Sequence, residues 1–443
     1  VVMTFLGILA GVLILGLIMV IHELGHFLAG RAFGFKIEQF SIFMGPVLFE
    51  RERKGIRYNI KAIPLGASVS FAGEESEIEG QAGGAADYDP DDPDLFENKP
   101  RWQRAIVIAM GPALNFVTAF LVFIILFTAK GAVIPRVGAI SEDTLMANTP
   151  IAAGDTITSL DGTRIRTTLD LTIAEMNHGD QDPWVIGYRT PSGFKNEVTV
   201  LPEKAPPRPM LGISYQTEDG RHIVVSVHPD TDRGEAGFMP GDQVISIEGI
   251  PFGDTGRITE TITASGDQVL RCEIIRNGKP VTLDITPFMI EAERPLGLVL
   301  TLSKNAGHVL SQGIRYPVSI FRTTVRGVGM LFAGKIGVRD SFAGPIAIVS
   351  MAADTVKQGR SLGDIAANLA TLLGLLSVAI GFTNLFPIPP LDGNHLLLLG
   401  VEAIRRKPLS ARFKSVTGMV GLVFFIVLGL AVIALDLVRL LGW

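Results

Sequence analysis

Apolar runs long enough to cross a bilayer alternate with polar stretches along this chain. About 30 Å of hydrocarbon takes about 20 apolar residues in a helix. Four segments reach that length: roughly 2–29, Ala105–Ala129, about Ile365–Leu391 and about Val416–Leu435. No charge occurs in residues 1–21 or in the second run, and the third is interrupted by Pro387, Pro389 and Pro390. The first run is too long for a secretory leader. It also lacks a basic start and a small-x-small cleavage site before His22, so it reads as a span.

Other periods fill the gaps. Lys36–Ile42 and Tyr58–Ile63 alternate like strands. Residues 307–334 place Val309, Leu310, Ile314, Val318, Phe321, Val325 and Val328 at near-helical spacing, which predicts an amphipathic helix. Between them lies an internal repeat. Gly154-Asp155-Thr156-Ile157-Thr158-Ser159-Leu160-Asp161-Gly162 aligns with Gly241-Asp242-Gln243-Val244-Ile245-Ser246-Ile247-Glu248-Gly249, 87 residues further on. Each copy predicts a Gly-Asp turn, an alternating strand and an acidic-Gly turn. Pro202, Pro206, Pro207 and Pro209 mark a linker between the copies.

Composition fits this division. With 47% hydrophobic and 19% charged residues, the chain is too apolar for an ordinary soluble enzyme and too polar to be all membrane. A net charge of −5, without a basic stripe, gives no case for nucleic-acid binding. The single Cys272, in an alternating strand, excludes an internal disulfide and reads as a buried small hydrophobe. Residues 74–98 are acidic and predict a disordered loop. Basic residues cluster after the first span (Arg31, Lys36, Arg51, Arg53, Lys54, Arg57, Lys61), before the second (Lys99, Arg101, Arg104) and between the last two (Arg405, Arg406, Lys407, Arg412, Lys414). Those loops are expected to be cytoplasmic, with both termini and 131–364 outside.

The chemistry concentrates at His22-Glu23-Leu24-Gly25-His26, at the end of the first run. Histidines at i and i+4 share a helix face and reach one Zn²⁺, and the Glu between them is placed to act as general base. Ionisable groups at membrane depth are costly and are read as functional. A catalytic zinc takes a third protein ligand. His178, His222, His228 and His308 fall in the outside part, whereas Asp392 is the one ionisable group of Asn384-Leu385-Phe386-Pro387-Ile388-Pro389-Pro390-Leu391-Asp392-Gly393.

HExxH in the first span together with this NxxPxPxLDG pattern resembles the site-2 protease family of intramembrane metalloproteases. Gly111-Pro112-Ala113-Leu114-Asn115 is similar to the family's GPxxN, and Pro64-Leu65-Gly66 resembles its membrane-associated β segment. The repeat resembles tandem PDZ domains, better in the second copy, where Glu235-Ala236-Gly237-Phe238 precedes the turn. Asn394 stands where the family often has Gly, and Phe43-Met44-Gly45 stands for its Gly-aromatic-Gly.

The resemblance implies an α-helical membrane protein with four transmembrane helices, a membrane-associated β segment and two tandem periplasmic PDZ domains (α+β). The expected parts are 1–30, first span; 31–73, cytoplasmic-side β segment; 74–100, acidic loop; 101–130, second span; 131–205 and 206–290, PDZ domains. Then come 291–364, a helical connector; 365–404, third span; and 405–443, fourth span.

It also implies zinc held by His22, His26 and Asp392, with Glu23 as base. Asn384, Pro387, Asn115 and Gly66 would contact substrate, against the alternatives of a span-end cap at Asn384 and a structural Asn115. His395 would pack against or orient Asp392 rather than bind metal. The implied substrates are single-pass membrane segments: a shortened anti-sigma factor and signal-peptide remnants. They would be met in a bacterial inner membrane by a monomer whose outer domains filter by size. A catalytically silent PDZ scaffold and a zinc transporter are the competing readings.

Overall fold

The computed structural model describes residues 2–73, 91–142, 144–179, 182–218, 220–228, 237–290, 294–334, 344–359 and 361–440. In chain order its helices are α1 (Val2–Ala32), α2 (Arg101–Lys130), α3 (Thr168–Met176), α4 (Thr255–Ser265), α5 (Ala306–Phe332), α6 (Pro345–Gln358), α7 (Leu362–Asn384), α8 (Asp392–Arg405) and α9 (Ala411–Leu440). Four of them, α1, α2, α7 and α9, are long and apolar enough to cross a membrane. At about 1.5 Å per residue, a 30-residue helix reaches about 45 Å, enough for hydrocarbon and headgroups. The third predicted run, 365–391, is helical only to Asn384. Its prolines open the chain over 385–391, and α8 starts afresh at Asp392.

Contacts divide the described chain into two units. The first holds residues up to Pro135, Thr163–Met176 and everything from Leu300 onward. Within it, β1 (Ile37–Arg53) and β2 (Ile56–Phe71) form an antiparallel pair that folds over itself. Residues 39–42 pair with 67–70 on one side and with 57–60 on the other. Phe43 (φ 71°) and Gly45 (φ 87°) turn the first strand where this switch occurs. Phe27, Phe35, Phe40, Phe71, Phe96, Val107 and Leu399 form one core beneath it. Phe96 belongs to a 3-10 turn at Phe96–Asn98, so the far end of the predicted acidic loop is ordered. Residues 74–90 of that tract lie outside the described residues.

A polar network ties α2, α8 and α9 together. Arg104, 5% exposed, donates to Glu97 at 2.7 Å and to Glu402 at 3.4 Å. Glu402, 1% exposed, also accepts the Leu409 N–H at 3.0 Å and lies 3.1 Å from Lys414 Nζ.

The second unit, Arg136–Gly162 with Asn177–Val299, carries the repeat. The remaining strands, in chain order, are β3 (Ala132–Ile140), β4 (Thr156–Leu160), β5 (Thr163–Arg164), β6 (Trp184–Arg189), β7 (Lys195–Val200), β8 (Arg208–Met210), β9 (Ile213–Glu218), β10 (Arg221–Val227), β11 (Gln243–Ile247), β12 (Ile250–Pro251), β13 (Leu270–Arg276), β14 (Lys279–Ile285), β15 (Phe288–Ile290) and β16 (Leu298–Ser303). Two mixed-order sheets result, β16-β3-β4-β6-β7 and β14-β13-β11-β10-β9. Within 291–364, expected to be an amphipathic helical connector, β16 precedes α5.

The copies share their turns. Asp155 and Asp242 each accept the N–H three residues earlier, from Ala152 at 2.9 Å and from Met239 at 2.7 Å. Asp161 and Glu248 each adopt positive φ before a glycine of positive φ, the combination of a tight primed hairpin turn. Cys272 is fully buried in the second copy's core with Val224, Phe238, Ile247 and Ile285, and burial pushes its thiol up to about 12. Phe238 is buried there too, whereas Glu235 and Ala236 lie outside the described residues.

Candidate metal centre

α1 carries His22 and His26 one helical turn apart on the face it turns to α2, both 8% exposed. Their Nε2 atoms are 3.2 Å apart. Contact this close is possible because glycines line both helices. A Cβ on Gly25 would overlap the Met110 carbonyl, and one on Gly111 would overlap the His26 ring and reach 2.9 Å from His22. Across the opened segment, Asp392 heads α8 and brings Oδ2 to 3.0 Å from His22 Nε2 and 3.5 Å from His26 Nε2.

The far side of each imidazole is also held. His26 Nδ1 lies 2.9 Å from the Val107 carbonyl, which can only accept. Nδ1 is therefore the protonated nitrogen of a neutral His26, and Nε2 offers its lone pair to the cluster. His22 Nδ1 lies 3.3 Å from the Asn115 amide nitrogen, and Asn115 is fully buried. The Asn115 Oδ1 has no partner among the described residues. Turning that amide over would give Oδ1 the His22 Nδ1–H to accept and free His22 Nε2 in the same way.

A tetrahedral site with bonds of about 2.0–2.1 Å separates its ligand atoms by about 3.3 Å. The three separations here, 3.0, 3.2 and 3.5 Å, suit that geometry. Asp392 Oδ2 is buried and makes no hydrogen bond among the described residues, a costly condition that a cation at this point would relieve. Glu23 competes as a third donor, since its carboxylate and both imidazoles lie within 4.8 Å of one another. It is the weaker candidate: its Oε2 accepts the Val69 N–H at 3.1 Å, whereas Asp392 Oδ2 faces both Nε2 atoms at 3.0 and 3.5 Å and accepts no hydrogen bond among the described residues.

The remaining expected residues sit on other elements. Asn384 closes α7, and Pro387 is exposed in the opened segment. Gly66 sits in β2 at φ 78°, where a Cβ would press on Met44 at 2.5 Å. None of the three is hydrogen-bonded to the cluster among the described residues. His395 is exposed and makes no hydrogen bond or ion pair with Asp392 among the described residues. Sequence reasoning missed Val69 and Val107, which act through backbone atoms that no residue type advertises. It also missed the close approach at Gly25 and Gly111, for which a glycine inside each motif was the available signal.

The profile of peptidase family M50 matches residues 10–428. The chain belongs to this family. It is similar to the regulator of sigma-E protease RseP of Escherichia coli strain K12, 28% identical over 97% of this chain and 98% of that protein. A regulator of sigma E protease from Salmonella typhi is 28% identical over 95% and 96%. A Mesorhizobium japonicum protein named as a zinc metalloprotease is 28% identical over 94% and 95%. This M50 peptidase is thus a zinc-dependent metalloprotease with a β-rich part and, among the described residues, four helices long and apolar enough to cross a membrane.

Proposed function

We propose that this M50 peptidase cleaves peptide bonds within the membrane, with zinc held by His22, His26 and Asp392 and with Glu23 as general base. The carrying observation is the convergence of three donor atoms within 3.0–3.5 Å, one of them a buried oxygen without a hydrogen bond. What zinc supplies there is Lewis-acid activation of water and of the scissile carbonyl. Asp392 offsets the metal's charge, and Val107 and Asn115 hold the imidazoles with Nε2 inward. Glu23, steadied by the Val69 N–H, takes a proton from the attacking water and passes it to the leaving amine.

A substrate helix hides its peptide bonds in i→i−4 hydrogen bonds and must be opened before attack. Residues 67–71 of β2 pair on one side only and include Val69, beside Glu23. An extended substrate segment added to that edge would lie against the base. In this reading Asn384, Pro387 and Gly66 guide the opened segment. Asn115 serves His22 in preference to substrate because its amide is fully buried.

The two repeat copies, 131–205 and 206–290, are read as PDZ domains on their shared Gly-Asp and acidic-Gly turns. Basic loops at the other ends of the spans favour an outer, periplasmic side for them and a metal site toward the cytoplasm of a bacterial inner membrane. There they exclude substrates with large external parts and admit already shortened ones. An anti-sigma factor after a first cut and signal-peptide remnants are the substrates proposed, for an enzyme acting as a monomer.

A purified Glu23→Gln variant, tested on a model single-pass substrate, is expected to lose about 10³-fold in cleavage rate, within the range for a general base, while keeping its zinc. Undiminished cleavage would sink the assignment.

A further inference from the structure

The β1–β2 pair stands alongside α1, and its register gives the depth of each residue. Gly16 packs on the Pro64 carbonyl and Gly30 on the Phe71 ring, each too close for a Cβ. The helical rise from 16 to 30 is about 21 Å and the strand rise from 64 to 71 about 23 Å, so 64–71 runs beside α1 and nearly parallel to it. Ile60 and Ala67 both pair with Ile42, and Tyr58 and Val69 both pair with Phe40. On the far side of 56–60, Phe49 pairs with Ile60, Arg51 with Tyr58 and Arg53 with Ile56. Phe49 is therefore level with His22, Arg51 with Phe27 and Arg53 with Arg31. The Phe27 ring fits this level, at 5.1 Å from Phe40 and 6.2 Å from Tyr58. α1 carries no charge before His22, and its first basic residue is Arg31. About 20 apolar residues of helix cross the hydrocarbon, so Phe49 lies at the hydrocarbon edge and Arg51 and Arg53 lie among headgroups.

A cavity of about 380 Å³ opens here, with Phe40, Phe49, Arg51, Arg53, Tyr58 and Ile60 in its wall. That volume falls within the range of small-molecule clefts, about 300–1,000 Å³. Its apolar wall is open: Phe49 is 57% exposed and Ile60 43%. Arg51 and Arg53 are exposed as well, and neither makes a hydrogen bond or ion pair among the described residues. Their acidic neighbours are turned away. Glu50 and Glu52 alternate to the other side of the sheet, where they pair across with Asn59 and Arg57.

Two guanidiniums on one wall, one strand period apart, match the oxygens of a phosphate, and the exposed ring and aliphatic chain beside them match the start of an acyl tail. The strands lie in the order 49–53, 56–60, 39–42, 67–70. At about 4.8 Å per strand, the arginine strand is about 14 Å from the 67–70 edge beside Glu23, so an occupant of this cavity leaves that edge open.

We infer that Arg51 and Arg53, with the apolar wall of Phe49 and Ile60, bind the phosphate headgroup of an anionic phospholipid in the leaflet at the Ala32 end of α1. Phosphate donors at headgroup depth above an apolar wall at the hydrocarbon edge select an amphiphile over a free anion or a polar peptide. The inference rests on α1 crossing a bilayer and is independent of the metal chemistry.

The test uses the full chain in neutral detergent, with thermal unfolding read against dioctanoyl phosphatidylglycerol, dioctanoyl phosphatidylcholine, sodium phosphate and a synthetic peptide of the acidic sequence 74–90. Phosphatidylglycerol should raise the midpoint and the other three should not. An arginine at an anionic surface contributes roughly fivefold in affinity, so in Arg51→Gln/Arg53→Gln the phosphatidylglycerol concentration for half the shift should rise about 25-fold. Lysine at both positions should restore part of it. Lys54→Gln/Arg57→Gln removes the same charge from the hairpin tip and the opposite face, and should leave the response unchanged. Equal shifts from both lipids, an equal shift from phosphate or from the peptide, a wild-type response in Arg51→Gln/Arg53→Gln, or an equal loss in Lys54→Gln/Arg57→Gln would each overturn the inference. Should the Gln variants fail to fold, the wild-type ligand comparison and the Lys variant still decide.

Discussion

The membrane unit buries two polar clusters, and they differ in kind. Around Glu402 every carboxylate oxygen has a donor: Arg104 for one, the Leu409 N–H and Lys414 for the other. Its carboxylate lone pairs and its opposite charges are matched, though the Arg104 Nε–H has no partner among the described residues, and the network holds α2, α8 and α9 together without a cation. Around His22, His26 and Asp392 three lone-pair donors face one another, and Asp392 Oδ2 is left without a hydrogen bond. A compensated cluster is structural, whereas a convergent, uncompensated one in the same low-dielectric surroundings needs a cation. Burial alone distinguishes nothing here, because residues of both clusters are largely buried.

That contrast can be broken experimentally. The largest effect is expected from Asp392→Ala: cleavage is abolished and zinc, read by elemental analysis, falls from near one per chain to a trace, while the fold persists. Zinc retained at full occupancy would put Asp392 outside the ligand set.

Next comes Arg104→Met, which leaves the buried Glu402 short of a donor. It should cost about 3 kcal/mol of stability, the lower end for breaking a buried pair, without changing zinc per folded chain. Loss of metal from a folded Arg104→Met protein would mean that the two clusters are one system.

The smallest and sharpest effect is at Asn115→Leu, which keeps size but removes the amide beside His22. Zinc affinity, measured by competition with a chelator, should weaken about 10–100-fold, as for the loss of a hydrogen bond behind a metal-binding imidazole. An unchanged affinity would return Asn115 to a substrate or packing role.

Much of the architecture was legible along the chain. Apolar runs marked the four described helices that are long and apolar enough to span, because a span must satisfy its backbone internally and cover itself with hydrocarbon, and both demands are local. The repeat was legible for a similar reason: Asp155 and Asp242, Asp161 and Glu248 act on amides close in sequence or in the same hairpin. The amphipathic period of 307–334 marked α5, which spans Ala306–Phe332. The third run was misjudged in extent, since hydropathy continues through 385–391 while its prolines cannot continue the helix.

For the metal centre, spacing alone put His22 and His26 on one helix face and left Asp392 as the sole ionisable group in an apolar segment. Residue type and spacing are properties of the sequence, so these chemistries could be read from it. Only the tertiary structure brought Asp392 Oδ2, 370 positions from His22 in sequence, to 3.0 Å from it. The same packing set the Val69 N–H on Glu23 and the Val107 carbonyl on His26. Such contacts depend on how helices meet at Gly25 and Gly111 and on which backbone atoms face inward, and no local pattern encodes either.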